Sequence, residues 1–172
     1  MGERLGAGIP KALVTVAGHT LLEHTVDSVS RVTGLVRVVV AAPADRIHEF
    51  RALAGALPSD LLTVVAGGAT RQQSIAAALS ALAATATDSP EVVLVHDVAR
   101  CFASTQLFDR VALAVSESGV GVLPVLPVVD TIKRADGTDI LETVDRSHLR
   151  IAQTPQGFPL AALQQAYAAA SA

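Results

Sequence analysis

The stretch VVLVHDVARCF, residues 92–102, decides the fold. An apolar run leads, with no alternation, straight into His96, Asp97 and Arg100. A strand this apolar reads as central and covered on both faces, as in a parallel sheet. In open α/β sheets ligands bind beyond the carboxyl ends of such strands. Asp97 and Arg100 would then stand at a rim that a ligand can reach. Taken alone, a capping carboxylate and a solvated guanidinium explain the pair equally well.

Working outward, strand and helix patterns alternate. VRVVVAAP (36–43), LLTVVAGG (61–68), EVVLVHD (91–97) and GVGVLPVLP (119–127) read as strands. Between them, TLLEHTVDSVSRV opens with Thr20 and Glu23 at capping-box spacing, with Leu22, Val26 and Val29 on one face. ADRIHEFRALAG sets Ile47, Phe50, Leu53 and Ala54 on one side. TRQQSIAAALSALAA opens with Thr70 and Gln73, again at capping-box spacing, and TQLFDRVALAVSES aligns Leu107, Val111 and Val115. A last helix is expected after Pro159. Such alternation implies a mostly parallel sheet with right-handed crossovers and helices on both faces.

One segment breaks this rhythm. VVDTIKRADGTDILETVDR, residues 128–146, alternates apolar and polar residues around an Asp-Gly turn. It reads as a β-hairpin, either an arm that packs on something else or a small antiparallel edge.

Composition narrows the class. The 172 residues fit one domain, 1–172, with a real core; 51% are hydrophobic and 17% charged, which excludes disorder. A net charge of -3, no basic run and 3% aromatic residues argue against nucleic acid as a partner. No stretch has a membrane-spanning length, and MGERLGAGIPK is no signal peptide. A single cysteine, Cys101, fits a cytoplasmic protein.

Chemistry is confined to a few places. The start carries Gly2, Gly6 and Gly8 with Arg4 and Lys11, a loop whose backbone could approach phosphates while two cations neutralise them, or else a flexible terminus. It matches neither the phosphate-binding loop nor the dinucleotide fingerprint. In AGGATRQQS, Gly67 and Gly68 end a strand where a ring could lie against the backbone, with Ser74 in hydrogen-bonding reach; a plain strand-to-helix turn is the alternative. The five histidines have no metal-ligand spacing; His24 and His48 read as surface residues, and His96 as shaping the sheet edge rather than exchanging protons. Cys101 has no partner that would make it a nucleophile.

GERLGAGIPKALVTVAGHTLLEHTV, GGATRQQS, VLVHDVARCF, PVVDTIKR and QTPQGF together resemble the 2-C-methyl-D-erythritol 4-phosphate cytidylyltransferases of the non-mevalonate isoprenoid pathway, over nearly the whole chain. The related ribitol-5-phosphate cytidylyltransferases share much of the pattern, but VDRSHLRIAQTPQGF is closer to the erythritol group. The resemblance implies a Rossmann-like nucleotidyltransferase fold and a CMP transfer from CTP, with Mg²⁺, to the polyol phosphate.

It assigns Arg4 and Lys11 to the triphosphate and to charge on the α-phosphate. It places Gly2 at the nucleotide and Gly67, Gly68, Ala69 and Ser74 around cytosine. Asp97 and Arg100 would meet the sugar alcohol or ribose, with Val98 and Thr154 beside the ligand. Thr131 and Arg146, in the arm, would hold the acceptor phosphate across a homodimer interface. Asp97 is also the candidate Mg²⁺ ligand, the ion being held mainly by the triphosphate.

The sequence departs from the family pattern in places. Val98 stands where alanine is usual and Cys101 where proline is common. Family members carry an apolar strand before the glycine loop, and an acidic segment, a strand and a lysine beyond the last helix. A catalytically silent nucleotide-binding or dimerising scaffold is therefore the rival of another class. A dinucleotide-dependent oxidoreductase is disfavoured, because no Gly-x-Gly-x-x-Gly follows a strand.

Overall fold

The computed structural model describes residues 9–84 and 91–170. Gly2 and Arg4 of the expected phosphate loop lie outside the described residues.

The chain enters through a 3₁₀ turn, Lys11–Leu13, which buries Ala12 and Leu13. A two-residue hairpin follows, β1 (Thr15–Val16) with β2 (His19–Thr20). Helix α1, Leu21–Val29, starts where its sequence signal put it. The Thr20 hydroxyl accepts from the Glu23 amide at 3.2 Å, and the Glu23 carboxylate accepts from the Thr20 amide at 2.7 Å. These bonds satisfy two amides that a helix start leaves unpaired. Leu21, Leu22 and Val26 are its buried residues.

Strand β3, Val38–Ala42, lies parallel to β4, Leu62–Ala66, in the register Val38↔Leu62 to Ala42↔Ala66. Between them, α2 (Ile47–Leu53) buries Phe50. Phe50, Ala54 and Leu57 form one core cluster with Ala12, Leu13, Leu22, Val26, Ala42 and Val64, and Val38, Val40 and Leu62 pack against it. The even positions of both strands thus face this cluster, and the odd ones face away. Helix α3, Arg71–Ala84, packs on the same two strands. Its Leu79 belongs to a second cluster with Leu160 and Leu163, joined by Val93 and Val95 of the strand that leads to His96.

That strand, β5 (Val92–Val95), is half-buried along its length. It pairs antiparallel with β10, Gln156–Pro159, and both pack on α4, Thr105–Ser118. The packing is close. A Cβ on Gly157 would stand 2.7 Å from both Val111 Cγ1 and Val115 Cγ2, so only glycine fits between helix and sheet. α4 is capped by Ser104, buries Phe108 where Leu107 was expected, and stops at Gly119 with φ +68°. Helix α5, Leu160–Ala170, follows β10 as expected.

The α/β class stands, with two corrections to its strands. Among the described residues β3–β4 is the one parallel ladder, because the chain returns after the hairpin and lays β10 back along β5. Residues 119–127 are not one strand. Val122 makes an isolated bridge to Gly157, and only β6, Val125–Pro127, is extended, paired with β9, Arg150–Ala152. Pro124 and Pro127 lack the amides a continuous ladder needs.

The expected hairpin is present. β7 (Ile132–Asp136) pairs with β8 (Asp139–Val144) around Gly137, with an irregularity between Arg134 and Ala135. No helix among the described residues is long and apolar enough to cross a membrane.

Candidate active site

The carboxyl ends of β4 and β5 are linked through Arg71, which follows the first and reaches Asp97 after the second, and most of the expected residues lie near these ends. The β4 end continues into Gly67, whose amide reaches Ala42 O at 2.8 Å and prolongs the ladder by one bond. The chain then turns through Gly68, Ala69 and Thr70 into α3. Thr70 and Gln73 exchange reciprocal side-chain-to-amide bonds of 3.1 and 3.2 Å, the second capping box the sequence announced.

The glycine pair has a local cause. A Cβ on Gly68 would lie 2.2 Å from Gln73 Cβ, and one on Gly67 would lie 3.0 Å from Ser74 Oγ. Gly68 must therefore be glycine for the helix to start so close behind the strand, while Gly67 leaves room for the Ser74 hydroxyl. Ser74 is likewise engaged: its hydroxyl accepts from the Gly68 amide at 3.1 Å and lies 3.0 Å from Thr70 O, to which it can donate. It fixes the turn that would face a base, with Ala69 exposed at its tip.

At the β5 end the ladder stops at Val95, opposite Gln156. Past it, Asp97 leads into a 3₁₀ turn, Val98–Arg100. The Asp97 carboxylate accepts from Arg71 Nε at 3.0 Å, and Arg71 Nη2 also approaches Gln156 Oε1 at 3.5 Å. With 51% and 43% of these side chains exposed, such a pair is worth about 0–1 kcal/mol, so both groups remain open to exchange for a ligand. Arg100 reaches the other way, to Gln153 Oε1 and, at 3.3 Å, to Ala152 O. The turn carrying Lys11 packs beside the Val98–Arg100 turn, and α1 packs on both.

Four expected residues stand differently. Val98 packs its side chain against the first core cluster, because the turn must close over α1. Thr154, expected at the ligand, is 4% exposed, and its hydroxyl accepts from the Asp97 amide at 3.2 Å and meets His96 Nδ1 at 3.0 Å. Arg146 meets the Val129 carbonyl of its own chain, in the hairpin with the exposed Thr131. Asp97, the candidate metal ligand, is paired with the Arg71 guanidinium.

His96 is also turned inward. Burial pushes its imidazole below the ordinary histidine value, against the opposing pull of the Asp97 carboxylate and the Arg100 backbone. Arg71 is the residue the sequence reading passed over. Its signal was its place, first in the helix after the glycine turn, three residues before Ser74.

The donor set makes no metal cage: no group of three histidine, cysteine, aspartate or glutamate side chains gathers among the described residues. Mg²⁺ keeps several waters and binds through one or two carboxylates plus phosphates. Asp97 is a carboxylate at this edge that could supply one such contact.

The edge thus offers cations for anionic groups, a carboxylate for hydroxyls and a glycine turn at a helix start, at the strand ends of an α/β body. That is the chemistry of a nucleotide-handling transferase domain. The chain belongs to the 2-C-methyl-D-erythritol 4-phosphate cytidylyltransferase family, whose model it matches over residues 1–172.

A cytidylyltransferase of that name from Saccharopolyspora erythraea is 49% identical over 98% of this chain and 75% of its own length. A bifunctional enzyme IspD/IspF from Clavibacter michiganensis subsp. michiganensis is 51% identical; this chain is matched over 99% of its length and spans 42% of that protein. The crystal structure of the cytidylyltransferase from Thermus thermophilus is 39% identical with a TM-score of 0.73, covering 94% of this chain and 71% of that one. A 4-diphosphocytidyl-2C-methyl-D-erythritol synthase from Anaerococcus prevotii superposes with a TM-score of 0.80 at 26% identity, over 96% and 71% of the two chains. The expected Rossmann-like nucleotidyltransferase fold and the enzyme class are those of the family.

Proposed function

We propose that this chain transfers CMP from CTP to 2-C-methyl-D-erythritol 4-phosphate, giving 4-diphosphocytidyl-2-C-methyl-D-erythritol and pyrophosphate. The supporting observation is that the Lys11–Leu13 turn packs beside the Val98–Arg100 turn, while Arg71, directly after the 67–70 turn, reaches Asp97 just ahead of it. An oxygen of the acceptor phosphate attacks the α-phosphorus of CTP, and the bond to the bridging oxygen of the β-phosphate breaks as pyrophosphate leaves. The nucleophile is already an anion at neutral pH, so no side chain need activate it. The protein's task is to align two anions and neutralise their charge.

Lys11, with Arg4, serves the triphosphate and the charge growing on the α-phosphate. The 67–70 turn, braced by Ser74, faces the cytosine, whose 4-amino group a backbone carbonyl can accept where uracil has none to give. Asp97 and Arg100 take the hydroxyls and charge of the sugar portion. Mg²⁺ enters with the triphosphate and supplies counter-charge.

The hairpin carries the dimer in this reading. Val125, Leu126, Val129, Ile140, Leu141 and Ile151 are between 46% and 71% exposed, an apolar surface that a second copy would cover. Thr131 and Arg146 would then serve the partner's acceptor phosphate. The buried, unpaired Cys101 suits a reducing cytoplasm.

The test is pyrophosphate release from CTP, Mg²⁺ and the polyol phosphate, repeated with Lys11→Ala. Turnover should fall about 10²–10³-fold, far more than CTP affinity, if Lys11 acts on charge built in the transition state. In a companion melt, CTP at a hundred times its dissociation constant should add about 2.7 kcal/mol of stability, and NAD none. Equal stabilisation by NAD, or unchanged turnover in the variant, overturns the reading.

A further inference from the structure

Asp97 lies beyond the ladder, and something other than a strand must hold it. Its amide has passed the last register pair, Gln156↔Val95, so no backbone carbonyl receives it there. The Thr154 hydroxyl receives it instead, at 3.2 Å. That hydroxyl has one proton and two lone pairs. With one lone pair taken by Asp97, its proton is free for His96 Nδ1, 3.0 Å away. The imidazole then carries its own proton on Nε2, as a neutral ring. Nε2 is buried with no hydrogen-bond partner of good geometry, and the ring lies against Phe108, 4.8 Å between centroids.

A buried polar pair with one unsatisfied nitrogen is a poor way to fill a core, since an apolar side chain of similar size would cost less stability. What the pair does is direct a hydroxyl. The Thr154 oxygen must keep a lone pair towards the Asp97 amide, and His96 achieves this by taking the proton. Beyond the amide, the Asp97 carboxylate is the only part of the unit that reaches the rim, where Arg71 meets it. The ring itself has no route to a ligand: Nδ1 is occupied and Nε2 faces inward.

We propose that His96 and Thr154 are positioning residues, a two-link relay that pins the Asp97 amide and so aims its carboxylate at substrate hydroxyls. This deepens the cytidylyltransferase reading and rests on it. The relay does no proton transfer. It replaces the missing rung of the ladder with a side-chain rung and thereby fixes the direction of a residue that would otherwise swing at the end of a strand.

Two paired substitutions separate this from simple packing. Thr154→Val removes the hydroxyl at constant shape, and Thr154→Ser restores it. His96→Leu removes the acceptor, and His96→Asn returns a carbonyl oxygen near the place of Nδ1. Thr154→Val and His96→Leu should raise KM for either CTP or methylerythritol phosphate about tenfold while kcat changes less than about threefold, the sign of lost uniform binding. Thr154→Ser and His96→Asn should recover most of that loss.

In an Asp97→Ala background, adding Thr154→Val should change KM by less than about twofold, because a relay has nothing left to aim. Hydrogen exchange at the Asp97 amide should quicken about tenfold or more in Thr154→Val and not in Thr154→Ser. Additive KM effects in the Asp97→Ala background, or an Asp97 amide as protected in Thr154→Val as in wild type, would overturn the relay. Exchange needs no turnover. If the wild-type chain releases no pyrophosphate, the proposed function falls, while the relay is still decided by the amide.

Discussion

The body and the hairpin of this protein both carry large apolar side chains and treat them in opposite ways. In the body Val115 is 1% exposed and Phe50 3%, whereas in the hairpin region Val129 is 71% exposed and Ile140 65%. The difference is one of layers. Each strand of the body has a helix against it: β3 and β4 have α2 and α3, and β5 and β10 have α4. The β7–β8 ladder pairs most of its backbone, apart from the irregularity between Arg134 and Ala135, but has no second layer among the described residues. A two-stranded ladder is at best marginally stable by itself. The comparison teaches that hydrogen bonding positions the hairpin, while whatever covers its apolar residues stabilises it.

The largest expected effect breaks or upholds that contrast directly. Phe50→Ala should destabilise the chain by about 3–5 kcal/mol, a large part of a typical domain's total. Ile140→Ala should change the unfolding free energy of the monomer by no more than about 0.5 kcal/mol. Both are read from denaturant midpoints at low protein concentration. Ile140→Ala should instead weaken self-association, read by sedimentation. A mild Phe50→Ala would mean that the body's core is loosely packed. A severe Ile140→Ala in the monomer would mean that the hairpin folds against its own chain.

Next in size is a test of whose site the hairpin serves. If residues 128–146 cross to a partner subunit, each site mixes Lys11 of one chain with Arg146 of the other. Homodimers of Lys11→Ala or of Arg146→Ala should then be nearly inactive. Refolding the two variants together in equal amounts makes heterodimers in which one site carries both defects and the other carries none. Activity should return to roughly a quarter of wild type, since about half the dimers have one intact site in two. If Arg146, which meets Val129 of its own chain, serves its own site, no activity returns.

The sequence was read most securely where one local signal decides an element. Thr20 with Glu23, and Thr70 with Gln73, started helices where they stand, and the unbroken apolar run to Val95 marked a strand, although among the described residues it pairs with β10 alone, antiparallel, and not as the centre of a parallel sheet. The hairpin was legible from alternation and Asp-Gly. Failures came where distant packing decides. Nothing near Asp97 announces Arg71, 26 residues earlier, because α3 brings them together. The family resemblance sets Thr154 beside the ligand, and the fold buries it against the Asp97 amide and His96. Residues 119–127 looked like one strand because valines outweighed Pro124, which interrupts it ahead of β6. Gly2 and Arg4 lie outside the described residues and enter through the family resemblance.

The smallest expected effect concerns pH and belongs wholly to the body. Burial holds the His96 imidazole below its unfolded value of 6.5, the nearby Arg100 guanidinium adding slightly and the Asp97 carboxylate opposing. In this range the unfolded chain binds more protons at this residue than the folded one, so stability rises with pH. His96 thus contributes nothing adverse while neutral. Its penalty appears as pH falls through about 6.5 and grows until the folded ring itself protonates.

His96→Asn keeps an oxygen near Thr154 and cannot titrate. Between about pH 7.5 and about pH 5.5 the wild type should lose more melting temperature than His96→Asn. The comparison cancels the other histidines, which both proteins share. Parallel melting curves for wild type and His96→Asn would show that the ring is not buried as neutral imidazole, and would remove the reason for placing the Thr154 proton on Nδ1.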